Sequence, residues 1–312
     1  MTAFAFVFPG QGSQSVGMLD AWGDHPAVKQ TLAEAGAALG EDLGQLIHAG
    51  PREALELTTN TQPVMLTAAI ACYRAWRAEG GAEPAAVAGH SLGEYSALVA
   101  AGALTLADAL PLVRFRAQAM QQAVPVGAGA MAAILGLDAA VVREVCAAVA
   151  AETAEAVAPA NFNDPKQTVI AGSKAGVDHA CEQLKARGAK RALLLAVSAP
   201  FHSSLMKPAA DALRERLAGV TIVPPRIPVV NNIDVAAQTD PGAIREALYR
   251  QAFGPVRWVE VTQALRARGL LHILECGPGK VLSGLVKRVD PEIQTTTVLD
   301  PASLKAAKEM LE

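Results

Sequence analysis

Ser91 stands in Val87-Ala88-Gly89-His90-Ser91-Leu92-Gly93-Glu94-Tyr95, where a short apolar run meets a Gly-His-Ser-Leu-Gly turn and then a helix-forming stretch. This arrangement reads as a nucleophile elbow, which pushes a serine hydroxyl out of a sharp strand-to-helix turn. Gly89 and Gly93 lack a Cβ, so neighbouring backbone can pass close to that hydroxyl. A Gly-x-Ser-x-Gly pattern also marks ordinary loops, and context has to decide. Residues 85–88 are small, apolar and preceded by Pro84, as expected of a short buried strand, and 94–101 can carry a helix.

A serine hydroxyl is a poor nucleophile until a base takes its proton, so a histidine must lie within reach. Six compete. His25 and His48 lie among polar helix and loop residues, His179 in a charged helix and His272 in a buried strand, all settings that suit structural or surface roles. His90, next to Ser91, is expected to point elsewhere. His202 follows Ser198-Ala199-Pro200-Phe201 at the seam between two parts of the chain, which suits chemistry and equally suits a helix-entry residue. No carboxylate after Ser91 announces itself as a triad member. Arg116, on a probable helix beside apolar residues, is either solvated or turned inward; a buried guanidinium would hold a carboxylate bidentately. Gly277-Pro278-Gly279-Lys280 lacks the spacing of a phosphate loop and reads as a tight turn.

The elements that must position these groups alternate. A buried strand at 4–8 is stopped by Pro9-Gly10, helices follow at 27–39 and 63–79, and the strand ending at Ala88 leads into the elbow. This predicts an α/β domain on a mainly parallel, hydrolase-like sheet. From Gly127 the order becomes strand 130–136, helix 139–151, strands near 157–162 and 167–171, helix 176–187 and strand 191–197. That is βαββαβ, the ferredoxin-like signature. Only Asn163-Asp164-Pro165-Lys166 joins the central strands, too short for a parallel crossover, so they form a hairpin. A helix at 205–217, a strand at 227–230, helices at 241–253 and 256–268, a strand at 270–276 and a helix from Val281 complete the reading. The expected organisation is a discontinuous large domain, 1–126 with 201–312, a ferredoxin-like small subdomain, 127–200, and an active site in the cleft between them.

The 312 residues are 51% hydrophobic and 18% charged, which suits a large buried core. Only 4% aromatic content and a net charge of -3 argue against nucleic acid. Cys72, Cys146, Cys181 and Cys276 are far apart and form no metal-type cluster, so buried free thiols are expected. The N-terminus lacks a basic segment and meets Pro9-Gly10 too early for a signal peptide, and no apolar run reaches transmembrane length. A cytoplasmic protein without membrane contact follows.

Phe8-Pro9-Gly10-Gln11-Gly12-Ser13-Gln14, Gly89-His90-Ser91-Leu92-Gly93-Glu94-Tyr95-Ser96-Ala97-Leu98 and Pro200-Phe201-His202-Ser203-Ser204-Leu205-Met206 resemble the malonyl-CoA:acyl carrier protein transacylase family of bacterial type II fatty acid synthesis. Further matches run almost end to end. They include Arg116 with Met120-Gln121, residues 129–134, Asn161-Phe162-Asn163, Arg250-Gln251 and residues 275–282. The resemblance implies a Ser91–His202 dyad in which a backbone carbonyl at Gln251 orients the histidine in place of an aspartate. It also implies an oxyanion hole from the N–H groups of Gln11 and Leu92, a malonyl carboxylate held by Arg116, and a site shaped by Asn161 and Gln251. Phe201 resembles malonyl-selective members and would crowd an α-methyl branch.

The implied reaction is ping-pong transfer of malonyl from malonyl-CoA, through malonyl-serine, to the phosphopantetheine thiol of acyl carrier protein. Coenzyme A is then a substrate, and neither cofactor nor metal is needed. Acyl carrier proteins are acidic, so a basic face is expected, with Lys190, Arg191, Lys287 and Arg288 as candidates and solvated pairs as the alternative. A monomer is expected. A malonate-decarboxylase or polyketide-pathway transacylase would carry most of the same motifs. A serine esterase shares the elbow but would normally add a carboxylate, and a non-catalytic carrier-binding protein would not need Ser91 and His202 intact.

Overall fold

The computed structural model describes residues 2–312. In chain order its elements are β1 (Phe4–Phe8), α1 (Pro26–Leu39), α2 (Leu43–Ala49), α3 (Arg52–Glu56), α4 (Thr58–Ala78), β2 (Ala86–Gly89), α5 (Gly93–Ala100) and α6 (Leu106–Gln122). Then come β3 (Gly129–Leu135), α7 (Ala139–Thr153), β4 (Val157–Asp164), β5 (Gln167–Ser173), α8 (Lys174–Ala186) and β6 (Arg191–Leu194). The chain closes with α9 (Lys207–Ala218), β7 (Val229–Val230), α10 (Pro241–Phe253), α11 (Trp258–Ala267), β8 (His272–Cys276), α12 (Val281–Val289), β9 (Gln294–Val298) and α13 (Pro301–Leu311).

The large sheet is parallel throughout, in the order β7-β2-β1-β8-β9. Its central strand shows why. Side chains alternate across a strand, so Phe4, Phe6 and Phe8 of β1 enter one hydrophobic cluster and Ala5 and Val7 another on the opposite face. The phenylalanines meet Tyr73 and Trp76 of α4 edge-on, whereas Ala5 and Val7 share their cluster with Trp258, Leu282 and Leu285 from α11 and α12. A strand buried on both faces needs helices on both sides, which parallel crossovers supply.

The second sheet is antiparallel, in the order β4-β5-β3-β6. The split of β3 and β4 around β5 is the ferredoxin-like arrangement, and the β4–β5 link is the expected hairpin. Helices α7 and α8 cover one face through Val142, Val145, Val149, Val177 and Leu184. The other face, with Met131, Ala133 and Val169, packs against Phe201 and Val197 and looks toward the large sheet. Strand β4 is stitched to the large unit: its register shifts between Pro159 and Asn161, and Ala160 and Phe162 exchange backbone hydrogen bonds with Val256 (2.8 and 2.9 Å).

Several boundaries differ from the sequence reading for local reasons. Helix α4 begins at Thr58, five residues before Pro63, because polar side chains tie the first turn down: Asn60 Nδ2 donates to Ala54 O, and Thr61 Oγ1 donates to Leu55 O and Leu57 O. Strand β6 stops at Leu194, short of Val197, because Val197 N–H turns back to Leu195 O and leaves the ladder. Strand β9 and helix α13 lie beyond the last element read from sequence; α13 is started by a capping box between Asp300 and Ser303. All four cysteines are free and buried. Among the described residues no helix is long and apolar enough to cross a membrane, and no group of three or more His, Cys, Asp or Glu residues could hold a metal ion.

Candidate active site

The turn after β2 forces Ser91 into a left-handed backbone conformation, φ 52°. The flanking glycines are required by close approach. A Cβ on Gly89 would lie 1.9 Å from Gly93 carbonyl atoms, and one on Gly93 would lie 2.0 Å from Phe8 O. The first turn is wound tightly, with Gly93, Glu94 and Tyr95 N–H donating to His90, Ser91 and Leu92 carbonyls. Leu92 occupies the N-cap of α5 and lines the cavity.

Asn232, two residues past β7, braces this turn. Its Oδ1 accepts from Ser91 N–H (2.7 Å) and its Nδ2 donates to Gly89 O (2.7 Å). The residue is fully buried. In an Asn232→Ala variant both backbone groups lose their partner, so a loss of about 2 kcal/mol or more in unfolding free energy is expected, measured by denaturant titration. An unchanged midpoint would contradict the bracing.

Ser91 Oγ–H donates to His202 Nε2 at 2.7 Å. The Nδ1 of His202 lies 2.9 Å from Gln251 O and 3.1 Å from Gly254 O, two groups that can only accept. Nδ1 therefore carries the ring proton and Nε2 is free to take one from serine. His202 is buried and also left-handed, φ 61°. Burial, with the Arg116 charge next in weight, pushes its pKa down to about 3. This imidazole is neutral at physiological pH.

Arg116 projects from α6 and is 2% exposed. Its Nη1 donates to Gln62 Oε1 (2.9 Å), and its Nη2 to Ser91 Oγ and Gln251 Oε1, both 3.2 Å. The guanidinium also lies over the Tyr95 ring, 5.5 Å from its centroid. Among the described residues every acceptor of these hydrogen bonds is neutral. A buried cation without a carboxylate partner is costly, and burial accordingly lowers its pKa. An anionic group entering beside Ser91 would relieve it.

These groups share a cavity of about 150 Å³ between the two sheets, lined by Gln11, Gln62, His90, Ser91, Leu92, Arg116, Asn161, Phe201 and His202 among others. Gln11 follows β1, and its side chain is drawn aside to Thr58 Oγ1 (3.2 Å). Asn161 reaches the wall from β4. Gln251, read as shaping the substrate site, stands behind that wall: it is wholly buried and touches Ser91, His202 and Arg116 from beneath. His90 lines the cavity while bonding Asn163 Oδ1 (2.9 Å) and resting against Trp258.

The basic candidates separate. Lys190 and Arg191 are exposed at the start of β6, the strand whose continuation, Leu195, reaches the cavity wall. Lys287 is exposed. Arg288 is not a free cation: its Nε donates to Asp164 Oδ2 at 2.6 Å, and Asp164 is 6% exposed, so the pair ties α12 to β4. Helical spacing gives no hint of this contact, which crosses 124 residues.

Sequence reasoning passed over Asn232, Gln62 and the buried Glu94. Asn232 left one readable signal. Asn231-Asn232 follow directly on the apolar strand Val229–Val230, at the carboxyl end where parallel sheets place their sites.

The acyl transferase domain family matches residues 5–299. The malonyl CoA-acyl carrier protein transacylase of Escherichia coli K12 is 52% identical over 311 residues, 99% of this chain and 100% of that protein. The crystal structure of an acyl-carrier-protein S-malonyltransferase from Burkholderia pseudomallei 1710b superposes with a TM-score of 0.96 at 65% identity, covering 98% of this chain and 99% of that one. A malonyl-transacylase in complex with its type II PKS acyl-carrier protein superposes with a TM-score of 0.97 at 49% identity, covering 99% and 100%. With this likeness running from end to end in sequence and backbone alike, the chain belongs to the acyl transferase family and, within it, to the malonyl-CoA:acyl carrier protein transacylases.

Proposed function

We propose that this enzyme moves malonyl from malonyl-CoA to the phosphopantetheine thiol of acyl carrier protein by a ping-pong route through malonyl-Ser91, for fatty acid biosynthesis. The observation that carries the reading is Arg116, a buried guanidinium bonded only to neutral acceptors and 3.2 Å from the serine hydroxyl. An acyl group with a free carboxylate one carbon beyond its thioester fits between the two.

In the first half-reaction Ser91 Oγ attacks the thioester carbonyl as its proton passes to His202 Nε2. Gln251 O and Gly254 O hold the opposite edge of the ring and stabilise the imidazolium. The N–H groups of Gln11 and Leu92 face the oxyanion of the tetrahedral intermediate. His202 returns the proton to the departing coenzyme A sulfur, leaving malonyl on Ser91 and its carboxylate on Arg116. The carrier thiol then repeats the sequence in reverse. Coenzyme A is a substrate throughout, and these steps use neither a metal nor a redox cofactor.

The cleft supports dividing the chain into a catalytic domain, 1–126 with 201–312, and a small subdomain, 127–200. One chain supplies every group in this scheme, so a monomer suffices, and the cytoplasm, where soluble carrier proteins work, is the assigned location. For docking the acidic carrier, Lys190 and Arg191 are favoured, with Lys287 as a further candidate. Charge reversal at Arg191 is expected to raise the KM for carrier protein several-fold and to leave loading by malonyl-CoA unchanged; an unaltered KM would dismiss the patch.

The test of the whole reading is mass spectrometry of purified carrier protein after incubation with malonyl-CoA and enzyme. One malonyl on the phosphopantetheine arm supports transfer. Free malonate with unmodified carrier would make the protein a hydrolase.

A further inference from the structure

One buried residue bonds Ser91, Arg116 and His202 alike. Gln251 Oε1 accepts from Arg116 Nη2 (3.2 Å), while Gln251 Nε2 lies 3.0 Å from two acceptors, Ser91 O and Glu94 Oε2. Its backbone carbonyl holds His202. The amide has one orientation compatible with these neighbours, because turning it over would face oxygen with a carbonyl and a carboxyl group, and N–H with a guanidinium. The two hydrogens on Nε2 need two acceptors, and Ser91 O supplies one. Glu94 supplies the other.

Glu94 is 2% exposed in the first turn of α5. Its Oε2 also accepts from Asn232 N–H at 2.8 Å, so one oxygen joins the brace of the elbow to the amide beneath Arg116. The void beside it, walled by Leu98, Val229, Ile244 and Ala247, is about 10 Å³ and can take no substrate group.

We propose that Glu94 is a positioning residue for acyl selectivity: its acceptor oxygen locks the Gln251 amide, and the locked amide aims Arg116 at the substrate carboxylate. Removing that oxygen strands a buried N–H of Gln251, which is relieved when the side chain rotates and takes Oε1 away from Arg116. The acceptor matters here, and the charge does not. Burial raises the Glu94 pKa to about 7, and an oxygen accepts both N–H groups whether or not its partner oxygen is protonated.

The inference rests on Arg116 reading the malonyl carboxylate, and its test separates the two. Full-length Glu94→Leu and Glu94→Gln variants are compared with the parent for loading by malonyl-CoA and by acetyl-CoA. Glu94→Leu is expected to lower the malonyl-to-acetyl ratio of kcat/KM by about tenfold, mostly through a higher KM for malonyl-CoA. Glu94→Gln, which keeps an acceptor oxygen, should restore the ratio. A ratio unchanged in both variants, lowered in both, or hidden by a parallel loss of both activities overturns the proposal.

Crystal structures of the two variants give a readout independent of substrate. The Gln251–Arg116 contact should persist in Glu94→Gln and be lost in Glu94→Leu; its persistence in both also overturns the proposal. Should an Arg116→Ala control lose malonyl and acetyl loading equally, the reading of Arg116 fails, and the position of Gln251 decides the role of Glu94 alone.

Discussion

Replacement of His202 by alanine is expected to slow malonyl loading by about 10²–10⁴-fold, the usual worth of a positioned general base. Stopped-flow release of coenzyme A under single-turnover conditions measures this step alone. The large effect follows from isolation of the serine: among the described residues no carboxylate stands in for the histidine, and the only other side chain on Ser91 Oγ is the Arg116 guanidinium, which donates and cannot take a proton. A loss smaller than about tenfold would mean that Ser91 has another base.

The same variant has a signature in stability. An unfolded histidine takes a proton near 6.5, whereas the buried ring resists it down to about 3. Between these values the unfolded chain binds the extra proton, so this residue's share of stability is complete above 6.5 and is lost as the pH falls. Glu94, raised from 4.5 to about 7, acts with the opposite sign: the folded chain holds the extra proton, and stability is lost as the pH rises through that window. His202→Ala removes the first effect and keeps the second. Thermal melts should therefore show the variant losing less stability than the parent between pH 6.5 and 4.5.

Replacement of Arg116 by alanine is expected to reverse selectivity. A charge-assisted hydrogen bond contributes about 1.5–3 kcal/mol and about 1.4 is tenfold, so malonyl loading should fall by roughly 10–100-fold. Acetyl loading should hold or rise. Arg116 opposes protonation of His202, and a substrate without a carboxylate leaves that repulsion in place. Malonyl neutralises the guanidinium as it binds, which strengthens the base only when the proper acyl group is present. Equal losses for malonyl-CoA and acetyl-CoA would show that Arg116 does neither.

Local pattern makes the nucleophile turn legible, because both glycines stand within five residues of sequence; the helix start requires Gly89, while the demand on Gly93 comes from Phe8 O of β1 and is not local. The parallel sheet and the ferredoxin-like insert were legible for the same kind of reason. Each strand carries its period in its own residues, and the Pro165-Lys166 hairpin has only one short route. What could not be read was whatever long-range contact decides. His202 faces carbonyls 49 and 52 residues away; the resemblance implies the one at Gln251, but no local pattern does, because a backbone carbonyl has no side-chain signature. Asn232 reaches Ser91 across 141 residues. Arg288 stays half exposed, and its tie to the buried Asp164 crosses 124 residues.

Glu94 was visible in the elbow motif, yet acidic residues in a helix's first turn are common for dipole reasons alone. Only its burial against Gln251 and Asn232 marks it out. The end of β6 was misjudged because apolar character continues to Val197 after the ladder has ended, where the chain turns to carry His202 into the cleft.

The most direct measurement is intact-protein mass spectrometry of the enzyme after brief incubation with malonyl-CoA in the absence of carrier, followed by peptide mapping. The account predicts one malonyl group per chain, on Ser91, discharged on addition of carrier thiol and absent from Ser91→Ala. Malonyl on a different residue, or an enzyme that forms malonyl-carrier while never becoming acylated, would contradict it.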